Sequence, residues 1–432
     1  MRTTVFAILI VALALVAVQA APLAGAASVD WQQAYDGKAR GSDAFTAVVA
    51  ASGGVYAAGY TSTSWLNRSD MLLVRYAANG SRSWVRRWNG PASGGDQCWD
   101  MARDGRGGLY LVGRTAGRGG DAAILRYSSS GRLSWSRRFD SGSAWQDDAR
   151  FVRGFRGGAG VYVVVESSSS TTFRTRVLRY SGTGTRLWSV ALTPGTRVSD
   201  VTADAGNNLY LSCWSGSATG SEAELVSISP RGARRWTVRP SAGDAAHTRA
   251  GAIGDRHDGI VWTMQTSDDA AAPELGSVYA SPYAPFAQQW GGDLGLTPPF
   301  ALNDVAGTPS GGAIAVGRLR SDGPDAGFIV WLDATGAVAA GPSSWTAATG
   351  CSGELVAATS GDGAWVAGRT GTVFSALRYL PASDLTWRYD YAAKPAGRAL
   401  ALAATSDGGA YLVGWGRATG AGADALILRL AP

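Results

Sequence analysis

The sequence of 432 residues predicts an all-β fold, a β-propeller of about eight four-stranded blades closed into a ring. Three observations carry that expectation. One apolar string recurs eight times along the chain. Every copy places it in the same order of turns and strands. The last copy stops one strand short, and the chain supplies that strand near its start.

The first segment is not part of the ring. Arg2 precedes the apolar run Val5–Val18, and small residues follow, with cleavage signals after Ala20 and Ala26. This order predicts a signal peptide over residues 1–26. The run falls short of the roughly 20 apolar residues of a membrane-spanning helix. No cysteine adjoins the cleavage region, which speaks against a lipoprotein anchor, and no second long apolar run follows; an uncleaved anchor extending into the Ala-rich stretch is the alternative. The expectation is a secreted or cell-surface protein with no membrane span after cleavage, and a single propeller domain over 29–432.

The recurring string reads Val55-Tyr-Ala-Ala-Gly59, Leu109-Tyr-Leu-Val-Gly113, Val161-Tyr-Val-Val-Val165 and Leu209-Tyr-Leu-Ser-Cys213. It continues as Ile260–Met264, Ala313–Gly317, Ala364–Gly368 and Ala410–Gly414, with successive spacings of 54, 52, 48, 51, 53, 51 and 46 residues. A strand and a Gly-rich turn precede each string, because tight hairpins need positive φ angles. A Ser/Thr/Gly-rich loop follows, such as 62–69 or 215–221. A third strand comes next, as in Met71–Tyr76 or Ala123–Tyr127. A turn and a Trp-led fourth strand complete the copy. Gly80, Gly131, Gly184 and Gly232 each stand four residues before Trp84, Trp135, Trp188 and Trp236, Ser383 does so before Trp387, and the sixth copy has Ala340 in place of the Trp.

The final copy ends with its third strand at Leu430. The segment Asp30–Asp36 resembles the fourth strand at Ser83–Trp88, so the two ends are expected to pair and close the circle. Eight copies predict eight blades; merging the divergent fifth copy, 246–299, with a neighbour gives seven.

The order Asp43, Gly53–Thr61, Asp70–Tyr76, Asn79-Gly80 and Trp84 resembles the exported bacterial β-propeller repeat proteins known as seven-bladed β-propeller repeats or delta-sixty repeats. The likeness extends over all eight copies. It implies fold and an extracytoplasmic location, and it implies no common catalytic site.

Composition narrows the function classes. With 46% hydrophobic and 17% charged residues the chain is globular. A net charge of +6, or +5 without Arg2, is too small for so large a surface to point to nucleic acid. Lys38 and Lys394 are the sole lysines. Cys98, Cys213 and Cys351 form no metal-binding spacing, and an odd number leaves at least one thiol outside any internal disulfide.

The candidate residues follow from the repeat. Asp70, Asp121, Asp325 and Asp424, ahead of third strands, are expected to accept hydrogen bonds from loop N–H groups. The Trp series is expected to pack between blades. Arg86-Arg87 and Arg137-Arg138 fall on outermost strands and are expected to keep the edges soluble, with an anionic ligand as the alternative. Asp100, Asp200 and Asp304 each stand nine residues before their string, early on innermost strands. Pointing inward, they would form part of an acidic ring at a channel mouth, able to hold a hard cation such as Ca²⁺. Acids that cap a turn or pair with arginine would look the same in sequence. No other cofactor is indicated. His247 and His257 read as loop residues, and no HExxH, P-loop, nucleophile elbow or zinc spacing occurs.

The expectation is a monomeric, non-catalytic exported propeller that binds a glycan or protein of the cell envelope through its loops. The alternative is an extracellular polysaccharide hydrolase or lyase that uses carboxylates around the channel.

Overall fold

A computed structural model describes residues 28–432 except 38–40, 65–67, 93, 118, 218–219, 240–246, 257–258, 268–274, 283–289, 293, 295, 297–298, 321–322, 372, 381–384, 392–396 and 417–421. The signal-peptide segment 1–26, the His257 side chain and Ser383 lie outside the described residues. Among those described there is no helix, and thirty-two strands make up the chain. They pair antiparallel into seven sheets, six of four strands and one of eight. The eight-stranded sheet contains two four-stranded units, 197–238 and 247–292, joined by one parallel pair, Ser221 with His247. The ring therefore has seven hydrogen-bonded sheets and eight four-stranded repeat units, the two numbers the sequence left open. The units are 1 (44–88), 2 (97–139), 3 (146–191), 4 (197–238), 5 (247–292), 6 (300–345), 7 (351–390) and 8 (397–430).

Closure occurs as expected. The N-terminal strand Val29–Tyr35 runs antiparallel to Asp424–Leu430 from Val29↔Leu430 to Tyr35↔Ala425, and becomes the fourth strand of unit 8. The N–H of Ala431 donates to the Ser28 carbonyl at 2.8 Å, beyond the end of the pair.

Burial explains the apolar strings. Second and third strands sit in mid-sheet, covered on both faces by the neighbouring units, so they are apolar throughout rather than alternating. Leu109–Val112, Ile124 and Leu125 are buried, whereas the fourth strand Leu133–Phe139 is half-buried to exposed. The glycine that ends five of the strings has a steric cause. A Cβ on Gly113 would overlap the Gln97 carbonyl oxygen, and one on Gly414 would overlap that of Arg398. The innermost strand approaches its neighbour too closely there for any side chain.

One expectation is corrected, and the cysteine pairing that the sequence left open is answered. The described residues of the segments 62–69 and 215–221 extend strands and are not loop. The strands Gly54–Ser64 and Arg68–Ala77 continue as a hairpin, pairing Thr61 with Asp70, and Leu209–Ser217 pairs on to Gly220–Ile228. Their Ser and Thr residues extend the ladder because backbone pairing outlasts the apolar pattern. The cysteines form no disulfide: all three are free and buried, in units 2, 4 and 7.

Candidate functional site

Every innermost strand carries a β-bulge at the same place. The register slips at Phe45/Ala47, Cys98/Asp100, Ala149/Phe151, Val198/Asp200, Ala250/Ile253, Leu302/Asp304, Gly353/Leu355 and Ala399/Ala401. A bulge re-aims the adjoining side chains. Here it directs them into a central cavity of about 710 Å³. The three acids singled out in the sequence all line it, from alternate units 2, 4 and 6.

They share one hydrogen-bond geometry. Asp100 accepts the N–H of Met101 at 2.8 Å on Oδ1 and that of Val152 in unit 3 at 2.9 Å on Oδ2. Asp200 accepts Val201 at 2.7 Å and Ile253 of unit 5 at 3.1 Å. Asp304 accepts Val305 at 2.8 Å and Val356 of unit 7 at 2.8 Å. Each carboxylate thus ties its own bulge to the bulge of the next unit, which satisfies main-chain donors that the irregular ladder leaves over.

The three differ in their countercharge. Arg153, on the innermost strand of unit 3, donates from Nη1 to Asp100 Oδ2 at 2.9 Å and from Nη2 to Asp200 Oδ1 at 3.3 Å. Its Nε holds the Val201 carbonyl at 2.9 Å. The guanidinium is a cation between two carboxylates, all three side chains retaining between 23% and 31% of their exposure. Burial still pushes Asp200 above the usual carboxylate range, with Arg153 opposing it. Among the described residues Asp304 has no basic partner. Burial pushes its carboxyl up to about 7, with a smaller contribution from the charge of Asp200.

The bulge residues also link units. Thr46 Oγ1 donates to the Cys98 carbonyl at 2.8 Å, Asn303 Nδ2 to that of Gly353 at 2.6 Å, and Glu354 pairs with Arg398 at 3.4 Å. Arg153 was not visible in the sequence. The position nine residues before the string of its copy is Val152, and the bulge position that Asp100 fills in unit 2 is held by Phe151 in unit 3, so alignment on acids alone passes over Arg153.

The other expected residues divide. The Trp series packs between units as expected, but each indole meets the turn glycine of the following unit, not the one four residues before it. A Cβ on Gly80, Gly131, Gly184 or Gly232 would lie 2.8, 3.1, 2.9 or 3.0 Å from Trp31, Trp84, Trp135 or Trp188. In unit 6, where Ala340 replaces the Trp, Trp331 of the third strand reaches on to the Asp362 carbonyl at 3.2 Å. Arg86 and Arg137 are corrected: each donates from Nε to a turn carbonyl of the next unit, Gly131 at 2.7 Å and Gly184 at 2.9 Å, so they fasten units together.

Two of the third-strand acids are corrected likewise. Asp121 meets Arg138 at 3.1 Å and Asp325 meets Arg318 at 3.4 Å. The loop N–H groups go instead to buried acids ahead of the first strands. Asp43 accepts Gly37 and Ser62, Asp96 accepts Gly90 and Ala116, and Asp147 accepts Ser141. Burial raises the pKa of Cys98 and Cys213, away from the thiolate form a nucleophile needs.

No family model matches the chain, and no curated protein matches it in sequence. The resemblance to the bacterial repeat group therefore rests on the quoted motifs. Solved structures do match. The chain is similar to Sqt1 of Chaetomium thermophilum bound to the N-terminus of the ribosomal protein L10, with a TM-score of 0.56 and 9% identity, covering 92% of this chain and 98% of that one. Against Sqt1 alone the TM-score is 0.55, with 9% identity and coverages of 94% and 98%. A protein of unknown function from Bacteroides caccae matches 65% of this chain and 92% of its own, at 12% identity and a TM-score of 0.33. The Sqt1 likeness is one of fold: the chain is a β-propeller.

Proposed function

We propose that this protein is an exported, non-catalytic binding scaffold that engages a glycan or protein of the cell envelope or beyond it. One observation carries the non-catalytic part. Both oxygens of Asp100, Asp200 and Asp304 accept main-chain N–H groups in one repeated pattern, which is the work of an acid that holds units together. Arg153 already supplies a cation between two of them, and this argues against Ca²⁺ held by the three acids. Export is supported by Arg2 and the apolar run Val5–Val18. A rigid ring that presents its rim for binding is the common use of such scaffolds, and Sqt1, similar in fold, is seen with a protein segment bound.

The hydrolase reading has one observation in its favour. Asp304 faces the cavity with its pKa near neutrality, beside Asp200, as a general acid would. A glycan array probed with the wild-type protein and with Asp304→Ala separates the two. The scaffold reading expects a bound glycan that stays intact and binds both proteins alike. Cleavage of the bound glycan by the wild type, lost in the variant, replaces it with the hydrolase reading.

A further inference from the structure

One rim of units 2, 3 and 4 gathers several stacked arginines. Four arginines there lie on aromatic rings, Arg150, Arg176 and Arg197 on rings of the preceding unit and Arg174 on Trp145 in the connection between units 2 and 3. The guanidinium carbon of Arg150 is 5.6 Å from the Trp99 ring centre, that of Arg174 is 4.5 Å from Trp145, that of Arg176 is 5.8 Å from Phe139, and that of Arg197 is 3.9 Å from Phe173. Trp214 flanks Arg197 at 5.9 Å. Apart from Arg150, at the bulge of its first strand, these residues fall where first and third strands begin, where second and fourth strands end, or just before a first strand, so antiparallel pairing brings them to one end of the ring. Trp99 and Arg150 also line the central cavity, and the seam runs outward from its mouth.

Arg150, Arg174 and Arg197 are exposed, while the rings beneath them are half-buried. None of the three donates a side-chain hydrogen bond to a described residue. The nearby acids have other partners too, and Glu166 also feels the charges of Arg150 and Arg197, which oppose the rise that burial gives its pKa. Glu166 accepts the Val198 N–H at 3.2 Å, and Asp148 takes the Trp99 indole N–H at 3.3 Å and Arg114 at 3.8 Å. A guanidinium laid flat on a ring is held in orientation and keeps its edge N–H groups outward, in the fork that matches a carboxylate.

We propose that this rim, centred on Arg150, Arg174 and Arg197, is a binding surface for an acidic polysaccharide, a chain of uronic acid residues. The reading rests on the scaffold function proposed above and names its ligand. Separate cations on successive units suit carboxylates repeated along a chain. The half-exposed faces of Trp99, Trp145 and Trp214 beside them suit the apolar faces of pyranose rings. A polyphosphate is less well served, because 33 acids against 39 basic residues give the protein little long-range positive field.

The test is calorimetric titration of the mature protein with polygalacturonate fragments, with neutral dextran and double-stranded DNA as comparisons. It uses the wild type, Arg150→Gln, Arg174→Gln, Arg197→Gln and the triple variant. Polygalacturonate binds the wild type, each single variant loses about tenfold in affinity, and the triple variant shows no measurable binding at an unchanged melting temperature. Lysine at the three positions restores only part of the affinity, since it keeps the charge and loses the fork. Equal binding by the triple variant, or tighter binding of DNA than of polygalacturonate, overturns the proposal. Binding of dextran alone, untouched by the substitutions, overturns it and leaves the scaffold reading standing. Failure to bind any glycan on the array as well as polygalacturonate removes the glycan-scaffold reading and the proposal together.

Discussion

Gly184 and Trp135 occupy adjoining space across a unit boundary: a Cβ on Gly184 would lie 2.9 Å from Cδ2 of the indole. The Trp135 Nε1–H also donates to the Gly182 carbonyl at 3.0 Å, so the turn of unit 3 is both packed and hydrogen-bonded by unit 2. Gly184→Ala then faces a positive φ of 84° and a clash together. The expected cost is about 2–4 kcal/mol in denaturant unfolding. Gly157→Ala isolates the backbone part, because Gly157 has a φ of 71° with nothing within 4 Å of the added carbon, and it should cost only about 1–2 kcal/mol. Equal losses in the two variants would show that the indole contact contributes nothing.

Arg153 takes the place of a metal ion between Asp100 and Asp200. Its replacement by Ala leaves two half-buried carboxylates without their cation. The expected loss is about 2 kcal/mol, at the low end for a broken buried pair because the group is part-exposed. Calcium should leave the wild-type melting temperature unchanged and raise that of Arg153→Ala. A calcium-dependent rise in the wild type, abolished by Asp304→Ala, would restore the three acids as a cation site.

Asp304 makes stability depend on pH. Its folded pKa, near 7, lies above the unfolded value of about 3.9, so the folded state binds the extra proton between them. The contribution is fully present below about pH 4 and is lost as pH rises through 7. Asp304→Asn should flatten the fall in melting temperature between pH 4 and 8. Its absolute stability should be lower, since Val305 and Val356 donate to different carboxylate oxygens and in the amide one of these becomes an NH2 donor that faces an N–H group. An unchanged slope would mean that Asp304 titrates like an exposed carboxylate.

The ring depends on the strand Val29–Tyr35. Its removal bares the edge of Asp424–Leu430 and takes away Trp31, which packs on Gly80. A protein starting at residue 41 should aggregate or melt well below the full mature chain, because an open apolar edge pairs with other chains. A melting temperature equal to that of the mature chain would refute the closure.

The period and the closure were legible because second and third strands are buried on both faces and so write continuous apolar strings. The inward acids were legible too, since the bulge places them nine residues before each string. What the sequence hid lies between units. Trp135 and its own turn glycine, Gly131, read as one motif, yet each contacts a different neighbour. Arg153 joins acids of units 2 and 4 from unit 3, and no local pattern reports a three-unit contact. Asp43 and Asp96 took the loop N–H groups expected at Asp70 and Asp121, because each of these loops lies against the start of its own unit. The Arg197–Phe173 stack likewise joins residues whose nearness only the ring creates.

The most direct measurement is the release of reducing ends from acidic and neutral polysaccharides incubated at pH 7 with the wild type and with Asp304→Ala. If the channel acids serve the ring, neither protein releases more than buffer does, while the wild type still binds polygalacturonate. Reducing ends formed by the wild type and absent with Asp304→Ala would contradict the account and make the channel a catalytic site.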